Sequence, residues 1–491
     1  MVDYKIIKKI CILGSGVSGS ILASELSNKY RVTVIDCDTL NKSFDDSVNL
    51  AKFTDAKLRN EKVVGYGFGG TTNLWHGVLT SLDYEDMQVI DKVSQTCISS
   101  EFEGFSDKLE KYFGNLNFLK SNELRSNKLL RFISLSSLNF KRYVHMVRPA
   151  RFRKIVKHLK NRGKVETIEC AVAISLSLDK TLKAIESVKV LQNNKEIHIS
   201  ADVFIVAMGA LESPRILLQS FEDSKHNNPI IGSGLMDHPH ATIGSLTIPD
   251  YIFYTQHGTR SMLFSNSSRV GYTIPGKYRK IKKLNHSIYV LPSMLKDVDK
   301  VRANIKLLVN NKFSFKLILK ILSRPSLLLS AFILISERFG FGVYTNLFNI
   351  HIHLEQSIEG RSSVSLSNNT DQYGRRIPKI YRNFANDAIK DISNIQVLLK
   401  KLTIPPGVFK SISIENNKLD SGAHFSGTCR LGSRRNNSVV DKNLKYHSLK
   451  NLFICDASII PKTGNSNLSL TIACFALRLS NYLNERYDRK N

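Results

Sequence analysis

The sequence predicts an α/β fold in which a Rossmann-like dinucleotide-binding domain is interrupted by an inserted second domain. Three observations predict it. Residues 9–36 read as a strand, a glycine-rich turn, a helix and a second strand that ends in an acid. Residues 201–220 read as an apolar strand that runs into a glycine and then a helix start, and residues 451–461 as another apolar strand that empties into a turn. These pieces lie far apart in a chain of 491 residues, too long for one ordinary core. They have to converge on one ligand, so the stretches between them belong to an insertion.

Lys9-Ile-Cys-Ile-Leu13 is the first strand, and Gly14-Ser-Gly16-Val-Ser-Gly19 follows it. Apolar residues continue with helical spacing from Ile21 to Leu26, and Arg31-Val-Thr-Val-Ile-Asp36 is the second strand. Gly14 permits the turn, Gly16 lets the backbone approach a pyrophosphate, and Gly19 lets helix and strand pack closely. The helix N-terminus presents unpaired N–H groups to phosphate, and Asp36 is placed to accept hydrogen bonds from a ribose. The fingerprint by itself leaves NAD and FAD open.

Five further segments carry pattern. Val63 to Gly77 contains Gly69-Gly70-Thr71-Thr-Asn73-Leu74-Trp75-His76, a glycine density that demands positive backbone angles or close approach to something flat or charged. Gly209-Ala-Leu-Glu-Ser213-Pro214 is read as opening a helix at Ser-Pro, with the proline in the first turn. Gly232-Ser-Gly-Leu-Met-Asp237-His238-Pro239 follows it, and Glu355-Gln356, Ser363-Val-Ser-Leu-Ser367 and Asp371-x-x-Gly374 lie further on. Last, His424 stands in His-Phe-Ser-Gly-Thr-Cys429 and Asn467 in Asn-Ser-Asn-Leu-Ser-Leu-Thr, with Asp441, Asp456, Ala457 and Pro461 between them.

Taken together these motifs resemble the signatures of the glucose-methanol-choline (GMC) flavoprotein oxidoreductases. The resemblance implies FAD and an inserted α+β substrate-binding domain of antiparallel sheet and helices. On it, residues 1–90, 165–240 and 420–491 form the discontinuous FAD-binding domain, and 91–164 with 241–419 the substrate-binding cap. Gly69, Gly70, Thr71, Asn73 and Trp75 would pass beside the flavin, in the Trp-bearing variant typical of sugar-oxidising members. Val172, Gly209, Asp456 and Ala457 would also line the cofactor, with Asp441 and Leu470 near it. Some relatives attach FAD through a histidine in the glycine segment. That position aligns with Leu74 rather than His76, so the FAD is expected to be noncovalent. His238 is expected to be a packing or turn histidine and Cys429 a packed thiol.

By the same resemblance the chemistry falls to His424 and Asn467. A neutral imidazole suits removal of a hydroxyl proton near neutral pH as hydride leaves the carbon. The Asn467 amide would orient the substrate oxygen and stabilise its developing charge. Leu468 stands where many members have proline. The function implied is oxidation of an alcohol, a sugar or a lipid-linked sugar, by hydride transfer to the flavin. Two other readings remain open at this point: an NAD(P)H-dependent flavin reductase or monooxygenase, and a noncatalytic scaffold with the same fold. The electron acceptor, whether oxygen, a quinone or another carrier, is also open.

Composition narrows the setting. With 42% hydrophobic and 23% charged residues the chain is globular rather than disordered. Its seven cysteines show no metal spacing, and Cys11, Cys455 and Cys474 sit in apolar runs, which points to a reducing compartment and no metal centre. No apolar run reaches the length of a membrane-spanning helix, about 20 residues. The net charge of +28 is unusual. Residues 313–335 place Lys316, Lys320 and Arg324 on one helical face and Phe315, Ile318, Leu319 and Leu322 on another, before an oily run. That pattern leaves two readings open, a peripheral seat on an anionic membrane surface or a helix that packs on its own domain with a solvated basic face, and the reducing compartment is read as the cytoplasm. Nucleic acid fits poorly, because aromatics are not interleaved with the basic clusters.

Overall fold

The computed structural model describes residues 9–37, 63–75, 77–116, 139–145, 150–254, 267–273, 286–292, 343–383, 385–402, 409–413, 419, 421–464 and 466–488, with four isolated positions between 319 and 328. Five strands form a parallel sheet: β1 (Lys9–Leu13), β2 (Arg31–Ile35), β5 (Val165–Ile168), β9 (Val203–Val206) and β17 (Leu452–Ile454), in the order β17-β9-β1-β2-β5. Layers cover both faces of such a sheet, so its strands read as unbroken apolar runs rather than alternating ones. Ile10 to Leu13, Val203 to Val206 and Leu452 to Ile454 are all buried. Burying one such side chain stabilises the fold by about 1.5–3 kcal/mol.

Helix α1 (Val17–Leu26) packs against the long C-terminal helix α8 (Ser469–Asp488), and Ile21, Leu22, Phe475 and Leu479 belong to one core with the sheet. A second, antiparallel sheet has seven strands in the order β16-β10-β13-β12-β11-β4-β3. Its members are β3 (Val78–Leu79), β4 (Asn139–His145), β10 (His240–Tyr254), β11 (Ser267–Thr273), β12 (His286–Pro292), β13 (Val343–Leu354) and β16 (Phe409–Ser411). The strands of this sheet come from the stretches between the parallel strands, which is the α/β fold with an inserted antiparallel domain.

Two smaller units join these layers. Strands β6 (Ala171–Leu178), β7 (Ile185–Gln192) and β8 (Lys195–Ser200) make a three-stranded meander. The hairpin β14 (Ser363–Thr370) and β15 (Arg376–Tyr381) lies on helix α6 (Gly209–Phe221). A buried cluster of two acids and two bases pins it there. Arg215 and Arg375 each reach both Asp371, at 2.9 and 3.0 Å, and Glu212, at 3.3 Å. Buried charges of this kind are tolerable only when each has partners, and here none is left over.

Helix α6 corrects one expectation. It begins at Gly209, so Pro214 falls in the second turn rather than the first. A proline there removes the N–H that would bond the carbonyl four residues earlier. The Thr428 hydroxyl takes that place, donating to Ala210 O at 2.7 Å. No helix among the described residues is long and apolar enough to cross a membrane. The basic segment 313–335 lies outside the described residues, apart from a few isolated positions, and so does His76.

Candidate active site

The glycine turn is built on contacts that admit no side chain. Gly14 has φ +94°, and a Cβ there would sit 2.5 Å from Ala207 O. At Gly19 a Cβ would sit 2.1 Å from Gly14 O. Gly16 is different: it is the N-cap of α1, its φ is −65°, and a Cβ would meet nothing within 4 Å. Asp36, buried at the end of β2, accepts from Ser15 N at 2.9 Å and from the Ser15 hydroxyl. Burial raises its carboxyl above the usual range, and the hydrogen bonds from Ser15 and Cys37 oppose that rise. Val172, buried in β6, follows Ala171, whose N–H donates to Asp36 O at 3.3 Å.

The second glycine segment rests on the first. Gly69 N donates to both Ser15 O and Ser15 Oγ at 3.1 Å. Gly69 and Gly70 have φ of +90° and +51°, and residues 70–73 form a short 3-10 turn. Thr71 Oγ1 accepts from Gly65 N at 3.2 Å, and Asn73 Nδ2 donates to Phe68 O at 2.9 Å. Both side chains therefore hold the loop's own shape. Trp75 donates its indole N–H to Ala150 O at 2.9 Å and packs edge-on against Phe113.

Asp456 ties two more predicted residues together. Its carboxylate accepts from Gly209 N at 3.0 Å and Ser213 Oγ at 2.5 Å, and it caps the turn at Ala457–Ile459 through Ser458 N at 2.7 Å. Burial raises its carboxyl too. Cys429 is fully buried, and burial pushes its thiol up, so it stays protonated.

The histidine centre assembles from four separated segments. Asp237, 1% exposed, accepts from His238 N at 2.7 Å, His424 N at 2.9 Å and Ser421 Oγ at 2.5 Å. Its own N–H donates to Gln356 Oε1 at 2.8 Å. The neighbouring Glu355 accepts from Thr463 N at 3.0 Å and Gly464 N at 2.5 Å, and pairs with Lys462. One carboxylate thus anchors the histidines and the other anchors the loop that leads to Asn467. Phe425 sits in a small core with Leu211, Leu235 and Val364, which fixes the chain just after His424.

Within this frame the rings of His238 and His424 stand at 86°, with their Nδ1 atoms 3.1 Å apart. His238 Nε2 lies 3.1 Å from Gly464 O, and Asn467 Nδ2 lies 3.5 Å from His424 Nε2. His424 and Asn467, 43 residues apart in the chain, are therefore neighbours. Burial is the main cause that pushes the His424 imidazole well below its ordinary value of 6.5, and His238 and His240 add to it while Asp237 opposes. His424 is neutral at neutral pH.

One face of the antiparallel sheet continues from this centre. His240 pairs with His353 and Thr242 with His351 across β10 and β13. The His240 and His353 rings stack at 5.1 Å. These four are partly open, whereas the alternating Ala241, Ile243, Ile350 and Ile352 are buried on the other face. Asp237, Glu355, Gln356 and this imidazole face were not assigned roles from the sequence. Asp237 and Glu355-Gln356 stood in recognised motifs, but nothing local shows that their acceptors reach loops more than a hundred residues away.

Comparison with known proteins bears on this arrangement. Two models of the GMC oxidoreductase family match the chain, the N-terminal one over residues 153–240 and the C-terminal one over 360–476. A 6'''-hydroxyparomomycin C oxidase from Streptomyces lividus is 31% identical over 120 residues, which is 24% of this chain and 21% of the relative. The match thus spans about a fifth of that relative's length. A putative truncated GMC-type inactive oxidoreductase from Acanthamoeba polyphaga mimivirus is 39% identical over 61 residues, 12% of this chain and 69% of the relative. The solved structure of pyridoxine 4-oxidase from Mesorbium loti superposes with a TM-score of 0.63 at 15% identity, covering 97% of this chain and 99% of that one, which shows a shared fold.

Proposed function

We propose, from the premise that this chain belongs to the GMC oxidoreductase family, that it oxidises an alcohol carrying several hydroxyl groups, with His424 as base. FAD is the cofactor, and the residues present fit it. The N-terminus of α1 has no side-chain cap, and both Gly16 and Gly209 have room where a Cβ would point. Gly14, Gly16 and Gly19 would hold the pyrophosphate and Asp36 the ribose. When bound, FAD supplies the hydride acceptor. Leu74 offers no nucleophile for a covalent link, so the FAD is read as noncovalent; acid precipitation then leaves a yellow supernatant, and a yellow pellet would sink that reading.

A single observation carries the base assignment. The neutral His424 Nε2 and the Asn467 amide N–H group lie 3.5 Å apart, so a hydroxyl oxygen seated beside the pair is within hydrogen-bond reach of both. There the hydroxyl donates to His424 and accepts from Asn467. As the O–H bond breaks, His424 takes the proton, and the Asn467 N–H stabilises charge growing on the oxygen.

The substrate class rests on the imidazole and threonine face beside the centre. His240, Thr242, His351 and His353 are partly open there, and their ring nitrogens and hydroxyl make it a face suited to hydrogen-bonding partners. A polyhydroxylated substrate such as a sugar supplies such partners, and a long alkyl chain does not. The name of the Streptomyces relative favours the same class.

His424→Ala is expected to slow anaerobic bleaching of the flavin by substrate about 10²- to 10⁴-fold while FAD stays bound. Bleaching within a few-fold of the unaltered protein would end the assignment. In the same assay sugars and polyols should bleach the flavin faster than aliphatic alcohols, and bleaching by NADPH alone would overturn the alcohol reading. Admitting air afterwards tests oxygen as acceptor. The +28 charge, with the basic amphipathic pattern of residues 313–335, supports a peripheral seat on anionic lipid; co-sedimentation with anionic vesicles should weaken as salt rises, and no binding at low salt would end it.

A further inference from the structure

We propose that His238 is a positioning residue that accepts the Nδ1–H of His424 and so holds the base in the tautomer whose Nε2 lone pair faces Asn467 and the substrate hydroxyl. The proposal rests on the reading of His424 as base. The argument starts from a backbone carbonyl. Gly464 O carries no proton, so the His238 Nε2 that lies 3.1 Å from it is the donor. A neutral imidazole has one N–H, which leaves a lone pair on His238 Nδ1. The His424 Nδ1 at 3.1 Å must then carry the proton, and its Nε2 is the free base. The Asn467 N–H group opposite Nε2 agrees with that, since it too is a donor. The reverse assignment would set a lone pair against the Gly464 carbonyl and an N–H against the Asn467 N–H.

The surrounding contacts keep the chain of bonds in register. Asp237 holds the backbone N–H of both histidines, and Glu355 holds Gly464. Gly422 passes so close to His238 that a Cβ would lie 2.5 Å from His238 O. His238 itself is 3% exposed, and its ring meets His424 at Nδ1, not at the Nε2 that lies beside Asn467. When His424 takes the hydroxyl proton on Nε2, the O–H bond breaks and an N–H bond forms. The imidazolium then has two N–H groups, and the one on Nδ1 still ends on the His238 lone pair. His238 thus keeps the base aimed before transfer and gives the new charge an acceptor after it.

Two substitutions separate this role from packing. The oxygen of His238→Asn falls near the old Nδ1 and can accept from His424, whereas the amide of His238→Gln reaches the old Nε2 position and serves only Gly464. The relay predicts that His238→Asn keeps substrate-driven flavin reduction within about tenfold, and that His238→Gln loses about 10²-fold or more in kcat with KM little changed. Equal rates in the two variants would overturn it. A second readout needs no variant at His238: 15N-histidine NMR of the FAD-loaded protein, with His424 assigned by its loss in His424→Ala, should show His424 protonated on Nδ1. Protonation on Nε2 instead would overturn the relay even if His424→Ala is inactive. If His424→Ala keeps its rate, the base reading itself has failed, and the relay goes with it.

Discussion

The glycine turn after β1 and the histidine centre beside β10 are both held by buried carboxylates, but they are assembled over different distances along the chain. Asp36 reaches Ser15 across 21 residues, inside one strand–helix–strand unit. Asp237 reaches His424 across 187 residues, and Glu355 reaches Gly464 across 109. In the first region the geometry follows from backbone that has no room for a Cβ. In the second it follows from side-chain acceptors that gather the N–H groups of separate loops. The first should therefore fail when atoms are added, and the second when acceptors are removed.

The largest effect is expected from Gly19→Ala or Gly14→Ala. Each forces a Cβ into backbone, at 2.1 and 2.5 Å, and the parallel sheet has little slack to yield. A loss of about 3 kcal/mol or more and of bound FAD is expected, measured by thermal melting and flavin absorbance. Gly16→Ala is the control: open space lies at its Cβ, so melting of the FAD-free protein should barely move while FAD binds more weakly. If all three behave alike, close approach is not what organises the turn.

Asp237→Ala ranks next. It strips three donors of their acceptor at once, and an unpaired buried group costs about 1–3 kcal/mol. Substrate-driven reduction should collapse while the flavin, held by the other region, stays bound. Reduction at the original rate would break the comparison.

Thr428→Val is expected to cost about 1–3 kcal/mol, because Ala210 O loses the hydroxyl that replaces the missing Pro214 N–H. Restoring that N–H with Pro214→Ala should recover part of the loss, so a double-mutant cycle by melting should show coupling. Additive losses would mean that the two residues are independent.

The smallest effect concerns pH. His424, facing His238, His240 and Asp237, holds a proton less readily in the fold than in the unfolded chain, where its ordinary value is 6.5. Its contribution to stability is therefore complete above 6.5 and is lost as pH falls toward the lower folded value. The acid limb of kcat/KM should likewise lie below 6.5. A limb at or above 6.5 would place His424 in a more hydrated setting.

How much was legible follows from the same contrast. Gly14, Gly19 and Asp36 could be read because each answers a demand inside one strand–helix–strand unit, and Gly16, which the protein's own backbone does not require, because it completes the same spacing. The apolar runs at 203–206 and 452–454 declared themselves as buried strands for a similar reason. Ser213-Pro214 misled about the start of α6, since the contact that tolerates Pro214 in the second turn comes from Thr428, 218 residues from Ala210. His238 looked like a turn residue because nothing in Asp-His-Pro shows that its ring lies between Gly464 and His424.

By itself the sequence determined the fold class and the dinucleotide turn, because strand periodicity and glycine positions are properties of neighbouring residues, and it pointed to the family through the resemblance of its motifs. Only the tertiary structure decided which acceptor meets which donor at the histidine centre. Those bonds join residues that share no local segment, and their energy exists only once the fold has already brought the separated segments together.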